Sequence, residues 1–179
     1  MHLSSLAMQS SKVHLTDMSE SSKVKRGTAG VDTAFFEEID RWREVPVRNI
    51  ALRNPGLKKR ELNFIVQRTI DRIVFLRICE DRGIEPYGRL MSLRNGTRTY
   101  WRLCQIFQQA NDRYNSSLFH IRKERDCTSS PDDLTLDLTI DDKTLKDIFR
   151  NLYYPDSPYE FSVLPADILG QVYERFWKR

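Results

Sequence analysis

Between Lys58 and Arg82 the chain sets Leu62, Ile65, Val66, Ile70, Ile73, Leu76 and Cys79 at three- and four-residue steps. That spacing puts the apolar side chains on one stripe of a long α-helix. Gly83 follows as its C-terminal cap, because glycine takes up the left-handed conformation found there without a Cβ clash. Glu85-Pro86-Tyr87-Gly88 then reads as a turn.

The rest of the chain reads as further helices. A first helix is expected from Asp32 or Thr33, whose short polar side chain can accept from the free amides of the first turn. Phe35, Phe36, Ile39 and Trp42 continue it at helical spacing. Pro46 is expected to kink or end it, since proline has no amide hydrogen and clashes with the preceding turn. A second pattern resumes through Val47, Ile50 and Ala51 and stops at Asn54-Pro55-Gly56. Residues 98–114 predict another helix, with Tyr100 or Trp101, Leu103, Cys104, Phe107, Ala110 and Tyr114 on its faces. Leu134, Leu136, Leu138 and Ile140 alternate with polar residues as a strand would. A lone strand lacks a partner, so this stretch is read as an extended linker. Asp141 or Asp142 should cap a helix bearing Leu145, Ile148, Phe149 and Leu152, ended by the turn Tyr154-Pro155-Asp156-Ser157-Pro158. Ser162 to Pro165 opens a last helix carrying Ile168, Leu169, Val172, Tyr173 and Phe176. Residues 1–30 hold seven serines and little apolar periodicity, and are read as a flexible lead-in. The expectation is an all-α fold: an irregular bundle of about five to six helices over residues 31–179.

Charge and cysteine usage bound the class. The 29 basic residues nearly balance 25 acidic ones, for a net charge of +4, which permits nucleic-acid contact without requiring it. No apolar run approaches the roughly 20 residues of a membrane span, and the N-terminus lacks the pattern of a secretory signal. Cys79, Cys104 and Cys127 are odd in number and widely spaced, which points to free thiols in a reducing cytoplasm.

Catalytic signatures are mostly missing. His2, His14 and His120 are isolated, and no Cys or His pair has zinc-site spacing. There is no glycine-rich phosphate loop and no histidine placed beside a nucleophile. Pro131-Asp132 followed by Asp141-Asp142-Lys143 does match the Pro-Asp…Asp-x-Lys pattern of metal-dependent nucleases. That chemistry needs Asp132 and Asp141 to hold a divalent cation and Lys143 to position water, all converging from two adjacent strands. A linker followed by a capped helix fans them apart and is the preferred reading. Lys58, Lys59, Arg68 and Arg72 on the long helix are candidate contacts to a DNA backbone, with Arg68 and Arg72 four residues apart. The competing readings are a solvated face laced with intrahelical ion pairs and, for Arg72 and Arg77 beside the apolar stripe, binding of carboxylates or helix ends within the domain. Trp42, Tyr100, Trp101, Phe107 and Tyr114 read as core. The aromatic group Tyr153, Tyr154, Tyr159 and Phe161 is expected to lock the last two helices or to meet a neighbouring domain.

Three stretches carry a resemblance. LNFIVQRTIDRIVFLRICEDRGI, from Leu62 to Ile84, resembles the helix preceding the methyltransferase core in type IIG restriction–modification enzymes and phage-resistance adenine methylases. Tyr114-Asn115-Ser116-Ser117-Leu118-Phe119 is similar to that family's Tyr-Asn-Gly-Gly-Leu-Phe, with serines in place of both glycines. SPYEFSVLPADILGQVYERF resembles its closing stretch. The resemblance implies a non-catalytic helical connector between a nuclease domain and an S-adenosylmethionine-dependent N6-adenine methyltransferase domain. The family's Asn-Pro-Pro-Tyr loop has no counterpart here, since Asn54-Pro55 runs on to Gly56. The chain is therefore expected to be a fragment with no catalytic, cofactor-binding or metal-binding residues of its own. S-adenosylmethionine, and magnesium if a nuclease is present, would belong to the parent enzyme. DNA and the adjoining methyltransferase domain are the expected partners, with no membrane and no small-molecule substrate. A free-standing DNA-binding or regulatory module and a minimal nuclease are the alternatives.

Overall fold

The computed structural model describes residues 17–114, 116–120 and 132–164, with side chains from Thr33 onward. Its elements are α1 (Asp17–Arg53), α2 (Lys59–Asp81), α3 (Arg89–Ser92), α4 (Thr99–Tyr114), α5 (Asp142–Arg150) and a 3-10 turn at Phe161–Val163. No strand occurs among the described residues, so the fold is all-α as expected. The chain divides into two units, Met1–Glu38 and Ile39–Arg179. In the first, Phe35 and Phe36 lie with ring centroids 6.4 Å apart. The second holds everything below.

Helix α1 differs from the sequence expectation at both ends. It begins at Asp17 rather than at Asp32 or Thr33, and it runs through Pro46 to Arg53 without a break. A proline inside a helix removes one backbone hydrogen bond. Buried side chains on both sides of it, Ile39, Trp42 and Ile50, hold the helical path by packing. Asn54 then ends the helix, its backbone and side-chain nitrogens both donating to Ile50 O, at 2.9 and 2.8 Å.

Helix α2 is the axis of the second unit. The expected stripe is present, but the burial goes all round: from Ile65 to Glu80 only Arg68 and Phe75 are not fully buried. Leu62 is half-buried. A helix buried on every side is usually apolar on every side. This one instead buries Asp71, Arg72, Arg77 and Glu80, each of which has polar partners, as burial of charge demands. Its C-terminus is a Schellman motif: Gly83, at φ +69°, donates to Glu80 O, and Ile84 donates to Cys79 O.

Two arginines of α2 and the one that caps its C-terminus fasten the irregular segments to it. Arg72, Arg77 and Arg82 are five residues apart, so successive side chains turn by about 140° around the helix. Each therefore meets a different segment. Arg72 donates to Leu118 O at 2.8 Å and pairs with Asp132 at 2.8 Å. Arg77 donates to Leu152 O at 3.0 Å, pairs with Asp81, and lies within the rings of Tyr87, Tyr153 and Phe161. Arg82 donates to Leu164 O at 2.7 Å. Two carboxylates, Glu80 in the last turn of α2 and Glu85 beyond it, organise the turn and α3, a helix not anticipated from the sequence. Glu80 accepts from the amides of Gly88 and Leu90 and from the Tyr153 hydroxyl. Glu85 accepts from Arg89, Arg113 and the Tyr114 hydroxyl.

Residues 134–140 form a turn and an extended stretch, as the linker reading required. Their partners are asparagine side chains of α1 and its cap in place of a second strand. Asn54 exchanges two hydrogen bonds with the backbone of Thr139, at 2.9 and 3.0 Å. Asn49 accepts from the Asp141 amide at 2.9 Å. Helices α4 and α5 fall where periodicity put them, within a residue at their starts. The expected last helix from Ser162–Pro165 and the loop residue Asn115 lie, wholly or in part, outside the described residues.

Candidate functional site

The carboxylates and lysine of the nuclease-like pattern do not converge. The two-stranded hairpin they need is absent, because Asp141 is the N-cap residue of α5 and Lys143 sits in its first turn. Asp132 is buried, held by Arg72, and accepts from the Thr135 amide at 3.0 Å and from its hydroxyl. Asp141 faces elsewhere: it accepts from Asn49 at 2.8 Å and from the Arg53 guanidinium at 2.9 and 3.1 Å. Those bonds hold its carboxyl below the usual carboxylate range, the Arg53 hydrogen bond contributing most. Asp142 caps the neighbouring helix, accepting from the Thr99 amide at the start of α4 at 2.7 Å. The Asp141-Asp142 pair is thus a joint among α1, α4 and α5. No group of three or more metal-ligating side chains occurs among the described residues.

The four cations proposed for DNA contact also separate. Lys58 and Lys59 are exposed at the start of α2, where the Lys58 amide donates to Glu61 at 2.8 Å. Arg68 is half-buried, with its guanidinium 5.4 Å from the Phe64 ring centroid. Arg72 is 1% exposed and lies over the rings of Phe107 and Phe119, so it serves the core and cannot reach a phosphate in this fold. The i,i+4 pairing of Arg68 with Arg72 therefore does not form an outward-facing clamp.

A different basic surface emerges from tertiary structure. Met91, Arg94 and Asn95, from α3 and the residues after it, face Lys143, Lys146, Asp147 and Arg150 of α5 across an open groove of about 620 Å³. The α5 residues follow the i, i+3, i+4, i+7 spacing of one helix face, opposite the buried Leu145, Ile148 and Phe149. Asp147 pairs with Arg150 at 3.3 Å. Lys146 donates to Gly96 O at 2.5 Å. Among the described residues no carboxylate pairs with Arg94, Lys143 or Lys146. The α5 half of this surface is legible in the sequence as a basic helix face, whereas Arg94 joins it only through packing of α3 against α5. Nearby in sequence, Trp101 was read as core but is 52% exposed, with the Arg98 guanidinium 4.6 Å from its ring centroid.

The described part of the second unit is thus helical, braced by inward arginines, and carries an exposed basic groove. Comparison with known proteins agrees with the resemblance seen in the sequence. The chain is 32% identical over 146 residues to the type II restriction enzyme and methyltransferase RM.Eco57I of Escherichia coli, a match covering 82% of this chain. It spans 14% of that enzyme's length. The chain is thus related to one region of a restriction–modification enzyme. No protein-family model matches it, and no solved structure does. No helix among the described residues is long and apolar enough to cross a membrane.

Proposed function

We propose that this chain is a non-catalytic helical connector of a type IIG restriction–modification DNA adenine methyltransferase. In this reading residues 31–179 set the distance and orientation between a nuclease domain and a methyltransferase domain in the cytoplasm. The observation that carries it is the match to a two-activity enzyme over most of this chain but only 14% of that enzyme's length. The placement of polar residues supports it. Arg72, Arg77, Asp132, Asp141 and Asp142, the groups best suited to chemistry, all brace one segment of the fold against another. A connector needs that investment, because a spacer that bends cannot fix the orientation of its neighbours. S-adenosylmethionine and magnesium then belong to the parent enzyme, and DNA is met chiefly through it.

Calorimetric titration of the full chain with S-adenosylmethionine, and separately with magnesium, tests the reading. No binding heat is expected from either. Stoichiometric binding of the methyl donor, or methylation or cleavage of a duplex by the chain alone, overturns it.

A further inference from the structure

The groove between α3 and α5 gathers several cations with few matching carboxylates. Four basic side chains, Arg94, Lys143, Lys146 and Arg150, line it together with a single acid, Asp147. Asp147 is already engaged by Arg150, which leaves three cations in excess. Exposed like charges gathered on one surface repel one another, so the arrangement weakens the free fold slightly and is relieved by an anion.

The shape of the array indicates which anion. Lys143 to Arg150 covers seven residues, or about 10 Å of helix axis at 1.5 Å per residue. That matches the axial rise of about three nucleotides along one strand of a duplex, at 3.4 Å each. A single phosphate would be served by side chains focused on one point, and it would gain further from main-chain amides. Here the cations are strung along an open trough, with Arg94 on the opposite wall. Lysines and arginines on flexible stems at such a surface suit a polyanion whose charges are also strung out, and they read its backbone and not its bases.

We infer that the α3–α5 groove seats the phosphate backbone of duplex DNA through Arg94, Lys143, Lys146 and Arg150. This rests on the reading of the chain as part of a DNA-modifying enzyme, and it assigns the DNA contact to a surface other than the start of α2. The contact is sequence-independent, and it fixes the position of the duplex relative to a connector that itself fixes the neighbouring domains.

The test is fluorescence anisotropy of a labelled 20-base-pair duplex titrated with the full chain between 50 and 200 mM salt. Three released counterions give a slope of about −2.7 in log affinity against log salt, or about a 40-fold loss over that range. The variant R94Q/K143Q/K146Q should abolish most of the slope and weaken binding at 50 mM salt at least tenfold. Its helical circular dichroism and melting temperature serve as the folding control, since Arg94 and Lys143 are exposed and half-buried Lys146 makes a single bond, to Gly96 O. K58Q/K59Q, at the start of α2, should leave both quantities within twofold of the parent chain. Equal loss in the two variants, or unchanged binding in the groove variant, overturns the assignment, as does the absence of binding by the parent chain at 50 mM salt. Displacement of the duplex by millimolar inorganic phosphate at constant ionic strength would assign the groove to an isolated anion and also overturn it. None of these outcomes touches the connector reading, which fails only if the chain binds the methyl donor or acts on DNA itself.

Discussion

Replacing Arg72 with alanine should be among the most damaging single changes in this protein, although composition makes it look like a surface arginine. The guanidinium is 1% exposed and its partner Asp132 is 6% exposed. Removing it strands the Asp132 carboxylate, deletes the hydrogen bond to Leu118 O, and opens a space between Phe107 and Phe119. Breaking a buried pair by deleting one partner costs about 3–5 kcal/mol. Against a total stability of about 5–15 kcal/mol for a domain, that is a large share. With a urea dependence of about 2 kcal/mol per molar, the unfolding midpoint followed by circular dichroism should fall by about 2 M. Asp132→Ala should also destabilise, since Thr135 loses both of its bonds to that carboxylate. The double variant should cost well under the sum of the two, because the second deletion removes the charge that the first left unpaired. A loss under about 1 kcal/mol for Arg72→Ala, or strict additivity in the cycle, would refute the claim that Arg72 pins Leu118 and Asp132 to α2.

Three further outcomes follow from the same contacts. Burial pushes the Asp71 carboxyl up to about 6 from 3.8, despite the opposing hydrogen bond from Gln67 and the charge of Arg43. Between those values the folded chain binds more protons than the unfolded one, so this residue makes stability fall as pH rises from about 4 to 6. Asp71→Asn should remove that slope and stabilise the protein at pH 7 by up to about 3 kcal/mol; urea titrations at pH 4, 5, 6 and 7 would show a residue of no consequence if the two proteins ran in parallel. Asp142→Ala removes the cap at the start of α4 and should cost about 1 kcal/mol, whereas Asp142→Asn should cost less than half of that; equal melting temperatures for all three proteins would count against the joint. Cys79 and Cys104 are buried, and burial pushes both thiols up, that of Cys104 to about 11. In a Cys127→Ser background, iodoacetamide at pH 8 should therefore label neither until urea unfolds the chain; rapid labelling of the native protein would be the contrary result.

The sequence by itself determined the fold class, the extent of α2, the starts of α4 and α5, the glycine cap at Gly83 and the kinship with a restriction–modification enzyme. These are carried by local periodicity, cap chemistry and stretches of near-contiguous residues, all of which are written along the chain. It did not determine the path of α1 through Pro46, because the missing hydrogen bond is local whereas the packing of Trp42 and Ile50 that outweighs it is not. It also misplaced Trp101, and for Arg72 it left phosphate contact and an internal carboxylate both open, since a helix position says which residues share a face but not what that face meets. Only the tertiary structure decided that α2 is enclosed on all sides. That enclosure turns Arg72, a candidate phosphate ligand in the sequence, and Arg77 into fasteners for distant segments. The same folding brings Arg94 to the basic face of α5 and builds the groove from residues some fifty positions apart. Charge in a sequence gives sign and spacing, and which side of the fold it faces is settled by what else needs burying.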